Sequence, residues 1–261
     1  MNHHNIKIFC ISLRESTDRR VAMDTQFKQQ GVDYQFIDAV VGSKESKFYD
    51  EKKRLKKYRS GLTRGEIGCF LSHRLTWEIF INSEANLCCI LEDDAVLAPN
   101  FISTLKEMPK IKINWDLIRL YGTPWKNSKP SYGVIEEVFS NSHHVISYIK
   151  QPGCTLGYLI NKNSAKKLIE YSNTFHRAVD DTIDAIWEND LKIFGIEPGI
   201  IHEADNNTST IMGRIKKKTS LTHKITIECN RIPEMFIKKY FNIRRLLSHK
   251  FSNKKSNAHL K

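Results

Sequence analysis

The chain has 261 residues, 40% of them hydrophobic, with only seven prolines, which excludes a disordered chain and suits one α/β domain with a small appendage. Its net charge of +12 sits at one end: from Arg214 onward there are fourteen Lys/Arg and two acids, Glu228 and Glu234, while residues 1–213 hold 27 of each sign. A uniformly basic nucleic-acid binder does not concentrate its charge this way; a neutral body carrying a basic C-terminal arm does.

The opening Met-Asn-His-His-Asn-Ile-Lys has no apolar stretch of the secretory kind. Lys7–Leu13 reads as a buried first strand, and Ser16 or Thr17 as the cap of a helix through Val21, Met23 and Phe27 that ends at Gly31. Tyr34–Val40 reads as a second strand, and residues 44–60, charged and without period, as a loop or insertion. Thr63–Asn82 has helical spacing through Ile67, Phe70, Leu71, Leu75 and Ile79. Leu87–Leu91 is a buried strand and the longest clean apolar run, too short to span a bilayer. It holds Cys88 and Cys89, and none of the six cysteines forms a CxxC pair, so free thiols in a reduced cytoplasmic protein are expected. Phe101–Met108 and Trp115–Leu120 give a further helix and strand. Residues 122–150 suit an inserted hairpin or substrate loop, followed by a strand at Gly157–Ile160 and helices at Ser164–Tyr171 and Val179–Asp190. Strands alternating with helices predict a mostly parallel, nucleotide-binding sheet flanked by helices over residues 1–213.

Ligands in open α/β sheets bind beyond the carboxyl ends of the strands, and Leu87–Leu91 delivers Glu92, Asp93 and Asp94 to that edge. Strand alternation would send Glu92 and Asp94 to one side and Asp93 to the other. Two carboxylates on one side repel unless a cation joins them, and a hard ion such as Mn²⁺ or Mg²⁺ takes carboxylates plus substrate phosphates. The triplet alone fits a transferase, a phosphatase or a nuclease, or a solvated loop.

Four blocks together resemble glycosyltransferase family 25, whose bacterial members build lipooligosaccharide. They are Ile11–Arg14 with Asp18-Arg-Arg20 and Asp38-Ala39; Leu62–His73; Ile90–Asp94; and Gly157–Ile160 with Ala165–Leu168, Val179-Asp180 and Ser209–Ile211. They occur in family order over residues 7–211, and Leu62–His73 is the most distinctive. The resemblance implies a GT-A-like fold, a UDP-sugar donor, a divalent metal, and transfer with inversion, with galactose the first candidate sugar and UDP-glucose or UDP-N-acetylglucosamine the alternatives. A basic-tailed nucleic-acid-binding protein is the competing class, for which an acidic triplet at the strand edge is repulsive.

On this reading Glu92 and Asp94 hold the metal, and Leu13, Arg14, Arg20, Glu66, His73 and Asp93 form the donor site. Arginine forks suit a diphosphate or uracil carbonyl; Arg19 reads as solvated. Glu66 and His73, two helical turns apart, share a face, although a core histidine and glycines that permit close packing are the structural alternative. Asp180 or its neighbour Asp181 is the general base, or else a helix cap. Glu203 and Asp205 are reserves, His202 a further possible ligand, and Thr208–Ile211 a phosphate-side loop or a plain turn.

Residues 214–261 form a basic extension in which Ile232, Met235, Phe236, Tyr240, Ile243, Leu246, Leu247 and Phe251 recur at three- and four-residue steps. Such a helix can lie on the anionic cytoplasmic face of the inner membrane, beside a lipid-anchored acceptor, or pack on the enzyme or its twin in a homodimer.

Overall fold

The computed structural model describes residues 5–121, 133–140, 143–148, 151–204 and 221–258. In chain order, β1 (Ile6–Ser12) leads to α1 (Thr17–Gln29), β2 (Gln35–Asp38), α2 (Glu51–Lys57), α3 (Arg64–Ile81), β3 (Leu87–Glu92), β4 (Ala95–Leu97), α4 (Phe101–Glu107) and β5 (Leu117–Arg119). There follow β6 (Gly133–Ser140), β7 (His143–Tyr148), β8 (Gly157–Asn161), α5 (Lys162–Tyr171), α6 (Val179–Ile183), α7 (Ile186–Asn189), β9 (Ile193–Glu197), β10 (Ile201–Glu203) and α8 (Leu221–Ala258).

Eight strands form one sheet in the order β2-β1-β3-β8-β5-β9-β7-β6. β1 is parallel to β2 and β3, and β5 to β9, whereas β8 and β7 run against their neighbours. Six of the eight strands therefore point one way, in the expected layered α/β architecture, with two reversed strands inside it. A strand buried on both faces is a near-continuous apolar run, as β1 is from Ile8 to Ile11 and β3 from Leu87 to Leu91. Phe9, Ile11, Cys88 and Ile90 face a core shared with Ile67, Phe70, Trp77 and Phe80 of α3. Ile8, Cys10, Cys89 and Leu91 face the opposite core with Met23 and Phe27 of α1 and Phe101 and Leu105 of α4. Cys88 and Cys89 are buried free thiols.

Several expectations are corrected. The segment 44–60 is not all loop: Asp50 caps α2 by accepting from Lys53 N at 2.8 Å. Val179–Asp190 is two short helices rather than one, broken at Asp184-Ala185. Ser16 stands at the N-cap of α1 without a side-chain cap bond, and Val21 is exposed. The hairpin expected within 122–150 exists as antiparallel β6 and β7.

α3 starts from a capping box, in which Glu66 N donates to Thr63 Oγ1 at 3.2 Å and Thr63 N to Glu66 Oε2 at 2.8 Å. Its first turns press on the segment after β2. A Cβ on Gly68 would stand 2.5 Å from the Val40 carbonyl, and one on Gly42 would strike the Arg64 carbonyl. Glycines there let two backbones meet beside the ends of the strands.

Candidate active site

Beyond the carboxyl ends of β1, β2 and β3 lies a cleft of about 500 Å³. It is lined by residues following β1 (Leu13, Ser16, Arg19), by Val40–Gly42, by the α3 face carrying Arg64, Gly65, Gly68 and His73, and by Glu92, Asp93, Asp94, Cys154 and Glu203. Glu203 reaches it because β10 pairs antiparallel with β4, opposite Ala95.

All three acids face this one cleft. β3 ends at Glu92 and the chain turns through Asp93-Asp94, so the strand alternation that would have separated Asp93 from its neighbours does not extend that far. Glu92 Oε1 contacts His73 Nε2 at 3.2 Å and accepts from the Thr155 hydroxyl. Because an ionised carboxylate only accepts, His73 Nε2 is the donor, and Nδ1 then accepts from the Tyr158 hydroxyl at 2.9 Å, which itself accepts from Trp77 Nε1 at 2.8 Å. Burial opposes ionisation of Glu92, but the bonds from His73 and Thr155 outweigh it and hold the carboxyl below its ordinary range. Asp93 accepts from Ser12 Oγ at 2.6 Å and from Arg19 Nη1 at 2.8 Å. Asp94 has Arg19 at 3.8 Å from Oδ2, while its Oδ1 is buried without a hydrogen-bond partner among the described residues. Burial first, then the Glu92 charge, push Asp94 up to about 6, against the pull of Arg19.

A buried, unpartnered carboxylate oxygen in an acidic cleft is the donor a hard divalent ion fits. Cys69, His73 and Glu92 also lie within 4.8 Å of one another, but they suit a metal poorly. Both His73 nitrogens are engaged, and burial raises the Cys69 thiol well above its ordinary value. The donors that fit are Asp94, with Glu92 and Glu203 in the same cleft.

The other expected site residues divide. Leu13, His73 and Asp93 line the cleft. Arg14, its side chain 81% exposed, pairs with Asp38, and neither it nor Arg20 lines the cleft. Arg20 is a clip between strand ends: it donates to the Ser12 carbonyl at 2.9 Å, the Leu13 carbonyl at 3.1 Å and Asp38 Oδ1 at 2.5 Å. The expectation of a solvated Arg19 is corrected, since its pairing with Asp93 leaves the side chain 23% exposed. The arginines among the described residues that line the cleft are Arg19 and Arg64. Glu66 serves the capping box and is outside the cleft lining. Asp180 is not the N-cap of α6, which is Ala178, but its Oδ1 accepts from Asp181 N at 2.8 Å in the first turn of that helix; its Oδ2 accepts from Cys154 N at 3.4 Å, next to the cleft, whereas Asp181 is exposed. His202 is exposed on β10 and does not line the cleft; Asp205 and Thr208–Ile211 lie outside the described residues. Thr155 was not legible as a site residue, for nothing in its local sequence marks it, and Ser12 and Arg19, although inside the family blocks, carry no spacing that assigns them a role. Arg119, behind the cleft, was also missed, although a charge within the apolar strand Trp115–Leu120 is a signal, since it demands a buried partner.

An acidic cleft at the carboxyl edge of a mostly parallel sheet is where α/β proteins of this class bind their ligands. The sequence pattern of glycosyltransferase family 25 (LPS biosynthesis protein) matches residues 5–183, and the chain belongs to that family. A Haemophilus influenzae protein described as a glycosyltransferase is 29% identical over 86% of this chain and 84% of its own length. Procollagen galactosyltransferase 1-A of Xenopus laevis is 28% identical over 75% of this chain but 35% of its own length, so this chain spans about a third of that relative. The lipooligosaccharide biosynthesis protein lic2B of Haemophilus influenzae is 33% identical over 38% of this chain and 37% of its own. Among solved structures, a glycosyltransferase involved in glycosylation of the major capsid of PBCV-1 aligns with a TM-score of 0.41 at 11% identity, over 87% of this chain and 98% of that one.

Proposed function

We propose that this family 25 glycosyltransferase transfers a hexose, galactose first among the candidates, from a UDP-sugar to an outer-core sugar of lipooligosaccharide, with inversion. The single observation that carries the reading is the buried, unpartnered Asp94 Oδ1, in a cleft that also holds Arg19 and Arg64. Asp94, aided by Glu92, would hold Mn²⁺ or Mg²⁺; such an ion, when bound, supplies positive charge to a departing diphosphate. Arg19 and Arg64 suit the diphosphate oxygens, since planar guanidinium forks match them. Asp180 serves as general base: it takes the proton of the acceptor hydroxyl as that oxygen bonds to the anomeric carbon and the bond to the diphosphate oxygen breaks. The names of the procollagen and lipooligosaccharide relatives support galactose and a glycolipid acceptor respectively. The test is a panel of UDP-galactose, UDP-glucose and UDP-N-acetylglucosamine with and without Mn²⁺, scored for donor hydrolysis. UDP-galactose turnover that needs Mn²⁺ is expected; turnover of none of the three overturns the reading.

The acceptor's lipid end also bears on α8. No helix among the described residues is long and apolar enough to cross a membrane. α8 instead exposes Ile232, Met235, Phe236, Tyr240 and Ile243. Both acids of the basic extension turn onto the body, Glu234 to Lys57 and Arg177 and Glu228 to Arg59. An outward face that is apolar and basic suits peripheral attachment to an anionic leaflet.

A further inference from the structure

Three consecutive residues touch three separate carboxylates. Gly153 N donates to Asp184 Oδ2 at 3.0 Å, Cys154 N reaches Asp180 Oδ2 at 3.4 Å, and the Thr155 hydroxyl donates to Glu92 Oε1. One short segment therefore ties the candidate base on α6 to the acidic edge of β3. Its backbone is strained at one residue: Cys154 has φ +66°, next to Gly153 at φ +70°, which glycine adopts freely. A non-glycine residue held there costs on the order of 1–3 kcal/mol and persists only where the surroundings impose it.

What imposes it is a buried ion pair. Arg119, fully buried on β5, pairs with Asp184 and donates to the Cys154 carbonyl; its Nη1 also meets Tyr121 Oη at 2.8 Å. The Tyr121 hydroxyl bonds the Gly153 and Cys154 carbonyls, the latter at 2.9 Å. Burial pushes the Asp184 carboxyl up, and Arg119 opposes that. None of Arg119, Tyr121 and Asp184 lines the cleft. A buried ion pair adds little stability over well-packed apolar residues, because desolvation offsets its attraction, so stability is a poor account of its presence behind the cleft.

We propose that the Arg119–Asp184 pair, with Tyr121, positions the 153–155 turn so that Asp180 and Glu92 are held at a fixed separation for transfer. The proposal rests on the reading of Asp180 as the base, and misplacement of a reacting group by about 1 Å can cost 10²-fold in rate.

The experiment is a double-mutant cycle on the full chain, with UDP-galactose turnover, UDP binding by titration calorimetry, and the thermal midpoint as readouts. Tyr121→Phe is expected to lower kcat about ten-fold or more with UDP affinity unchanged, and to have little further effect in an Asp180→Asn background. Asp184→Asn should behave alike; should it fail to fold, Tyr121→Phe, which keeps the ring, decides the matter. Equal fold-losses in both backgrounds, or unchanged kcat, overturn the proposal. If Asp180→Asn itself keeps wild-type turnover, the base reading falls separately, and the same cycle on Glu92→Gln decides the positioning role. There, loss of the Tyr121→Phe effect sustains it and additive losses overturn it.

Discussion

Asp94 carries a carboxyl that burial pushes up to about 6 and an oxygen with no partner among the described residues, so its charge is held in place at a cost. Asp94→Asn should abolish transfer at every Mn²⁺ concentration while leaving the thermal midpoint unchanged or higher, because a disfavoured buried charge is removed. Glu92→Gln should weaken transfer less. Wild-type turnover of Asp94→Asn at limiting Mn²⁺ would move the metal elsewhere. For Asp180, loss of a general base costs about 10²–10⁴-fold. Asp180→Asn should therefore lower kcat on that scale with UDP-sugar affinity little changed, since the Asn side-chain oxygen can still accept from Asp181 N at the start of α6; loss of affinity without loss of turnover would rule out the base role. At this scale the placement of Glu92 and Asp94 at the cleft was legible, because it follows from their position at a strand end. It was not legible for the arginines. Three of them lie within seven residues, and which faces the cleft depends on where Asp38 and Asp93 stand: Asp38 takes Arg14 and Arg20, and Asp93 takes Arg19.

Among the elements, α8 is fastened by a few groups. Ile227 is buried, Asn230 donates to the Lys56 carbonyl at 2.9 Å, and Glu234 is shared by Lys57 and Arg177. Glu188 completes the cluster, held down to about 2: burial opposes its ionisation, but bonds from Arg177 and Tyr171 prevail. Glu234 is likewise lowered, by Lys57 and Arg177 against burial. Carboxyls with depressed folded-state values stabilise above their unfolded values and lose that contribution as pH falls through the folded ones. The Glu188 contribution should thus be complete above about pH 5 and fade toward pH 2. Glu234→Gln should release α8 selectively: Arg177 keeps Glu188 as counter-ion, so the cost is on the order of 1 kcal/mol. Hydrogen exchange should then rise in α8 and not in β1 or β3; uniform acceleration would count against a local clasp. The strands were legible where both faces are buried, as in β1 and β3. The reversed β8 was not, because an apolar run such as Gly157–Asn161 carries no direction. Nor was α2, whose charged sequence lacks an apolar stripe and whose Arg54 is buried against the Ser60 and His176 carbonyls instead.

For the molecule as a whole, charge and shape separate two tasks. Residues 1–213 carry no net charge and contain the cleft, while the extension from Arg214 carries +12. α8 is bound to that body by Glu234 on Lys57 and Arg177, Glu228 on Arg59 and Asn230 on the Lys56 carbonyl, so cutting the chain near Asn230 would disturb both the clasp and the exposed face. Substitution of the exposed face alone separates them. Met235, Phe236 and Tyr240 are about 60–70% exposed, and changing all three to Gln should leave the thermal midpoint and turnover on a delipidated acceptor unchanged. Binding to vesicles containing phosphatidylglycerol should be lost, because apolar insertion and attraction of about 1 kcal/mol per Lys or Arg near the surface act together. Unaltered protein should leave the same vesicles as salt rises, the Debye length falling from about 10 Å at 0.1 M to about 3 Å at 1 M. A triple variant that binds vesicles as the unaltered chain does would show that α8 is not the anchor. One that loses activity on the soluble acceptor would make this face part of the catalytic body.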